Sequence, residues 1–167
     1  VRPPGRREQY RPLILIEPQT EDNLRVVGVD TATVPGALEA QNRARDSGLP
    51  ALTEGLVLRQ DVGAKTTPSV VMYLPIYRGE MPTGSVMERR QALRGWVSGP
   101  FHVKAFVEGI GRLTDDAMAL AIYDGPADQP ASLLYQSASF VPNEVRGFAG
   151  ARTIEAAGRN WTVVVQP

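Results

Sequence analysis

Cysteine is absent from all 167 residues, which excludes disulfides, thiolate nucleophiles and cysteine-rich zinc sites while leaving the redox compartment open. Histidine occurs once, as His102, so an imidazole base or a histidine metal site would have to centre there. No Gly-x-Ser-x-Gly elbow accompanies it. Charge of one sign is not in excess: Lys plus Arg and Asp plus Glu each number 18, and no overall field draws the chain to nucleic acid or to an anionic membrane surface. No apolar run approaches the ~20 residues of a membrane-spanning helix. Val1 does not open a signal peptide, and the chain is read as a mature product or as a domain excised from something longer.

What is present suits a compact soluble unit. With 43% hydrophobic and 22% charged residues, the chain can bury one good core, or two small ones sharing a seam. The N-terminal VRPPGRREQYR is locally basic but interrupted by Pro and Gly, so residues 1–9 are expected to form a solvated tail. PLILIEP (12–18) and LRVVGVD (24–30) read as a pair of strands around a polar turn that carries Glu21 and Asp22. TVPGALEAQNRARDSG then changes to helical habit: Thr33 is placed to cap, Pro35 suits a first turn, Glu39 and Arg43 stand i,i+4, and Gly48 is a C-terminal stop.

ALTEGLVLRQ (51–60) reads as a strand, and SVVMYLPIY (69–77) as a central strand covered on both faces. Ser85 and Glu88 have capping-box spacing for a helix ending near Arg94. RGWVSGPFHV returns to strand, with glycines that suit bends or close approach. Val103, Phe106, Val107, Ile110 and Leu113 make an apolar helical stripe. The segments AMALAIYD, ASLLYQS, ARTIEAAG and NWTVVVQ are four further strands, and AGRNW is a hairpin turn in which Gly158 and Asn160 suit positive φ. This order implies an α+β fold with two antiparallel sheets and helices packed on one face of each.

Visible chemistry is sparse. Asp115 and Asp116, and Glu21 and Asp22, are adjacent acids in turns, where caps and solvated charges are the ordinary reading. GIGRL lacks the third glycine and the strand-to-helix setting of a dinucleotide fingerprint, and no Walker pattern occurs. No catalytic residue, metal site or cofactor is assigned. The one carboxylate that invites a binding role is Asp30, which ends an apolar run just before a helix. There it could serve as a helix-proximal cap or hold a ligand N–H through a charge-assisted bond worth ~1.5–3 kcal/mol.

The ordered pieces REQYRPLILIEP, VVGVD, NRARDSGLPALTEGLVLRQ, VMYLPIYRG, VMERRQALRGWVSGPFHVKAFVEGI and AGRNWTVVV resemble the CHASE domains. These are extracytoplasmic sensor modules of membrane-bound histidine kinases and nucleotide or diguanylate cyclases, plant cytokinin receptors among them. The resemblance implies tandem PAS-like subdomains: a membrane-distal, ligand-binding one over residues 10–102 and a membrane-proximal one over residues 103–167. The flanking transmembrane segments lie outside this chain, and the full-length receptor would be a homodimer on the periplasmic side of the inner membrane.

Carried over residue by residue, the resemblance places Asp30 where the family's ligand-holding aspartate stands, and Leu52, with Thr53 beside it, at a backbone contact. Tyr73 stands where cytokinin-binding members have a threonine, and its bulk implies a ligand smaller than, or shaped differently from, a purine. A further family threonine, expected near residues 60–62, has no counterpart. The strands 69–77 and 94–101 would form the back wall of the pocket, with Met72, Tyr73, Gly99 and Phe101 as lining residues and Gly99 leaving room opposite Tyr73. Apolar walls with few polar anchors suit a small-molecule site that performs no chemistry. Two other readings remain open: a ligand-free protein-interaction or dimerisation module, and an enzyme centred on His102.

Overall fold

The computed structural model describes residues 9–58, 67–111, 118–127, 129–142 and 150–166. In chain order the elements are α1 (Glu21–Leu24), α2 (Ala37–Ser47), β1 (Ala51–Leu52), β2 (Ser69–Tyr77), α3 (Val86–Ala92), β3 (Leu93–His102), α4 (Val103–Gly111), β4 (Ala119–Asp124), β5 (Leu133–Gln136), β6 (Gly150–Ala156) and β7 (Arg159–Gln166). They build an α+β fold with two antiparallel sheets, ordered β1-β2-β3 and β5-β4-β7-β6.

The helix ends follow their local chemistry. Ser85 accepts from the Glu88 amide while the Glu88 carboxylate takes the Ser85 N–H, so the capping box forms as its spacing predicts. Gly48 ends α2 at φ 79°, with its N–H on the Ala44 carbonyl. The start of α2 differs from the sequence reading. Asp30 caps a 3-10 turn over Thr31–Thr33, and α2 begins only after Gly36, so Thr33 does not cap the helix.

Three other expectations are corrected. The strand pair over 12–18 and 24–30 reduces to a single bridge between Pro12 and Asp30, because residues 21–24 close into a helical turn under the Thr20 cap. The strand expected over 51–60 is two residues long, with Leu56 adding one isolated bridge to Ser69; residues 59 and 60 lie outside the described residues. In the β6–β7 hairpin, Ala157 and Gly158 take positive φ, at 45° and 78°, and Asn160 does not. Two residues suffice because Ala156 pairs directly with Arg159.

The core has three parts. Between α2 and the first sheet, Ala37, Ala40 and Ala44 of the helix pack on Ala51, Val71 and Tyr73, a layer thinned by alanines. On the opposite face of the first sheet, Leu52 and Val70 pack with Val103 of α4 and with Ile122, Leu134 and Trp161 of the second sheet. This shared cluster is the seam between the halves. A third cluster of Ala119, Ala121, Tyr123 and Phe140 covers the far face of the second sheet. The α4 stripe is only half used: Val103 and Val107 enter the seam while Phe106 and Ile110 stay about half exposed. Leu113, Asp115 and Asp116 lie outside the described residues.

Candidate functional site

Two buried polar residues, Asp30 and Gln41, come together through Arg11 where the segment 10–30 meets α2. Asp30 is 6% exposed. Its Oδ1 accepts the amides of Arg11 and Ala32, both at 3.1 Å, so the carboxylate closes the 3-10 turn and holds the crossing segment down. Gln41, on the inner side of α2, is 1% exposed. Its Nε2 donates to Thr31 Oγ1 at 2.8 Å, and its Oε1 accepts from Arg11 Nη1 at 2.9 Å.

Arg11 also donates through Nη2 to Asn42 Oδ1 at 2.9 Å, and its guanidinium carbon sits 4.7 Å from the centre of the Trp96 ring. Trp96 is fixed in turn by its Nε1, which donates to the Gln41 carbonyl at 3.0 Å. Tyr73, 4% exposed, reaches the Gln41 side chain from below, and burial pushes its phenol pKa upward. The space beside Asp30 is thus occupied by Tyr73 and Gln41.

The seven residues singled out in the sequence do not share one wall. In the antiparallel register Tyr73 pairs with Ser98 and with Ala51, while Met72 pairs with Gly99 and with Leu52. Cross-strand partners point to the same side. Tyr73 therefore faces α2 together with the Asp30 cluster, whereas Leu52, Met72, Gly99 and Phe101 face the seam and its outer rim. The expectation that Gly99 leaves room opposite Tyr73 is corrected by this alternation. Thr53, fully buried, works at the edge: its Oγ1 accepts the Val71 amide at 3.0 Å.

His102 Nδ1 lies 2.8 Å from Ser69 Oγ, across the pairing of β3 with β2. The contact ties the ends of two strands. Among the described residues, no group of three His, Cys, Asp or Glu is arranged to hold a metal ion.

Sequence reasoning passed over Arg11, Gln41 and Trp96. In the sequence Arg11 falls within the basic N-terminal stretch, and Gln41 carries no local signal that sets it apart from the other polar residues of α2. Only the crossing of residues 10–30 over α2 brings them to Asp30. A separate open cleft of about 590 Å³ runs between the two sheets, with Glu54 and Gly55 on one side and Asp124 and Arg159 on the other. Asp124 accepts from Arg159 Nε at 2.6 Å and from the Gly55 amide at 3.3 Å. None of the seven residues lines this cleft.

Comparison with known proteins gives one family. The family model of the CHASE domain matches residues 1–135, ending inside β5. No curated protein matches the chain. CHASE domains are extracellular sensor modules of receptors and carry no catalytic function of their own. Among the described residues, no helix is long and apolar enough to cross a membrane. By a match over residues 1–135 of 167, the chain belongs to the CHASE domain family.

Proposed function

We propose that the chain is the small-molecule-sensing domain of a transmembrane signalling receptor, a histidine kinase or a nucleotide or diguanylate cyclase, facing the periplasm and paired as a homodimer. Residues 10–102 act as a membrane-distal PAS-like subdomain that receives the ligand, and residues 103–167 as the proximal one that passes the change on. The observation that carries this reading is the buried polar cluster of Asp30, Gln41 and Tyr73 under an alanine-thinned layer. Buried polar groups cost free energy unless paired, and an apolar set would fill the same space without that demand. A cluster of this kind suits a site that exchanges internal partners for those of a guest.

Binding would favour one arrangement of the two sheets, and the difference in affinity between arrangements is the whole driving force. The test is a thermal-shift screen of small metabolites on wild type and Asp30→Ala. A true ligand at ~100 Kd stabilises wild type by ~2.7 kcal/mol and stabilises the variant less. Equal responses, or no response in wild type to any compound class, would remove the assignment.

A second reading is favoured by a different observation. Tyr73 and Gln41 fill the space beside Asp30, while Leu74, Ile76 and Val97 present 45%, 40% and 57% of their surface on the other face of the sheet. A ligand-free interaction module would have this form. Light scattering over a range of concentrations separates the two: self-association abolished by Leu74→Lys, with no metabolite response, supports the interaction module.

A further inference from the structure

Arg11 makes the contacts that a bound ligand would make. Its two terminal nitrogens donate in a fork to two amide oxygens of α2, Gln41 Oε1 and Asn42 Oδ1, each at 2.9 Å. Its guanidinium carbon lies over the Trp96 ring, 4.7 Å from the centroid. Forked donation combined with a place over an aromatic ring suits a guanidinium; an ammonium supplies only a point charge. Two of the three receiving groups, Gln41 and Trp96, are held by bonds that Arg11 does not make. Gln41 is fixed by Thr31 and by burial, and Trp96 by the Gln41 carbonyl. The side chain reaches this place from the crossing segment, 30 residues away along the chain from Gln41. Burial first, then the nearby charge of Arg45, weigh against the cation in this place, and Asp30 only partly offsets them.

We propose that Trp96, Gln41 and Asn42 form a binding site for a guanidinium or similar planar cation, which the chain's own Arg11 occupies in the resting state. The proposal rests on the sensor reading above and adds the chemical class of its ligand. A ligand carrying an amidine or guanidine group enters by displacing Arg11. That frees the side-chain hold of Arg11 on the segment 10–30, while the Arg11 backbone stays bonded to the Asp30 carboxylate and to the Thr31 amide and hydroxyl. The tethered Arg11 competes at an effective concentration in the ~mM range, so a natural ligand must make further contacts, and a bare guanidinium compound does not unseat it at low concentration.

The experiment is chemical rescue. Arg11→Ala is expected to lower Tm. Methylguanidinium at low mM concentration should restore at least half of the loss, with saturation, while ethylammonium at equal ionic strength restores none. Wild type, its site filled, should not respond. The double variant Arg11→Ala/Trp96→Leu should lose the rescue. If Arg11→Ala does not fold, the readout becomes refolding from urea with and without methylguanidinium, where recovery supports the site and lack of recovery overturns it. The proposal is also overturned if Arg11→Ala shows no saturable rise, or if ethylammonium or the double variant gives the same rise. Because no metabolite is needed, rescue can succeed while the metabolite screen fails, and the reverse, so the two ideas fall separately.

Discussion

The Leu52 amide donates to the Ala157 carbonyl at 3.0 Å, joining a strand of the first sheet to the hairpin of the second. The Leu52 side chain enters the seam beside Trp161, and its own carbonyl accepts from Arg43 Nη2 of α2 at 2.5 Å. One residue therefore touches α2 and both sheets. A change on the α2 side has a short physical route to the second sheet.

A shared seam implies shared unfolding. Trp96 lies in β3 and Trp161 in β7, so each reports on one sheet. The Trp161 indole N–H has no hydrogen-bond partner among the described residues, so Trp161→Phe breaks no such bond there, and its cost is the seam volume that the indole fills. The two single-tryptophan variants are expected to show coincident urea transitions when each is compared by fluorescence and circular dichroism. Leu52→Ala should lower stability by ~2–4 kcal/mol and still leave one transition. Separate transitions would show that the halves fold independently.

The layer beneath α2 has room for a ring once Tyr73 is removed. Tyr73→Thr restores the residue type that the family resemblance expects and leaves a hollow bordered by alanines and Gln41. The loss should be ~3–5 kcal/mol. 4-Methylphenol should raise the Tm of this variant and leave wild type unchanged. A variant that ignores the compound would indicate that α2 collapses onto β2 rather than holding a ring-sized space.

Asp46 fixes the C-terminal end of α2 to α3. Arg90 grips it through two bonds, at 2.7 and 3.0 Å, and Arg45 Nε lies at 2.6 Å. The Arg90 hydrogen bonds first, then that from Arg45, hold the carboxyl well below its ordinary 3.8. A depressed native pKa means stability that is present above pH ~4 and is lost as pH falls below it. Because Arg90 is largely exposed, the contribution at neutral pH should be ~1 kcal/mol or less. Urea midpoints of wild type and Asp46→Asn should differ at pH 7 and converge toward pH 2. A constant difference would mean that Asp46 titrates normally.

Much of this architecture was legible because it is written locally. The Ser85–Glu88 box and the Gly48 stop each depend on residues a few positions apart, and β2 and β3 are each marked by their own run of strand-forming residues. The segment 12–30 misled because its apolar runs look like strands, while Thr20 capping and the Asp30 turn are decided by side-chain bonds that leave most of its backbone unpaired with the sheet. The site was legible in two residues, Asp30 and Tyr73. Asp30 stood out by its place, but Arg11, Gln41 and Trp96 are separated by 30 and 55 positions and gain meaning only when the chain crosses itself. The division of Tyr73 from Gly99 is a register effect, and a one-residue shift in pairing would have reversed it.

The central claim is that filling the space around Asp30 changes how the second sheet is held. Amide hydrogen exchange tests it directly, measured on wild type with and without the best stabiliser from the metabolite screen. The account expects altered protection at residues 10–30 and also at Leu52 and in the 156–161 hairpin, which no compound bound near Asp30 would touch. Changes confined to residues 10–47, with Leu52 and the hairpin unmoved at saturation, would contradict it.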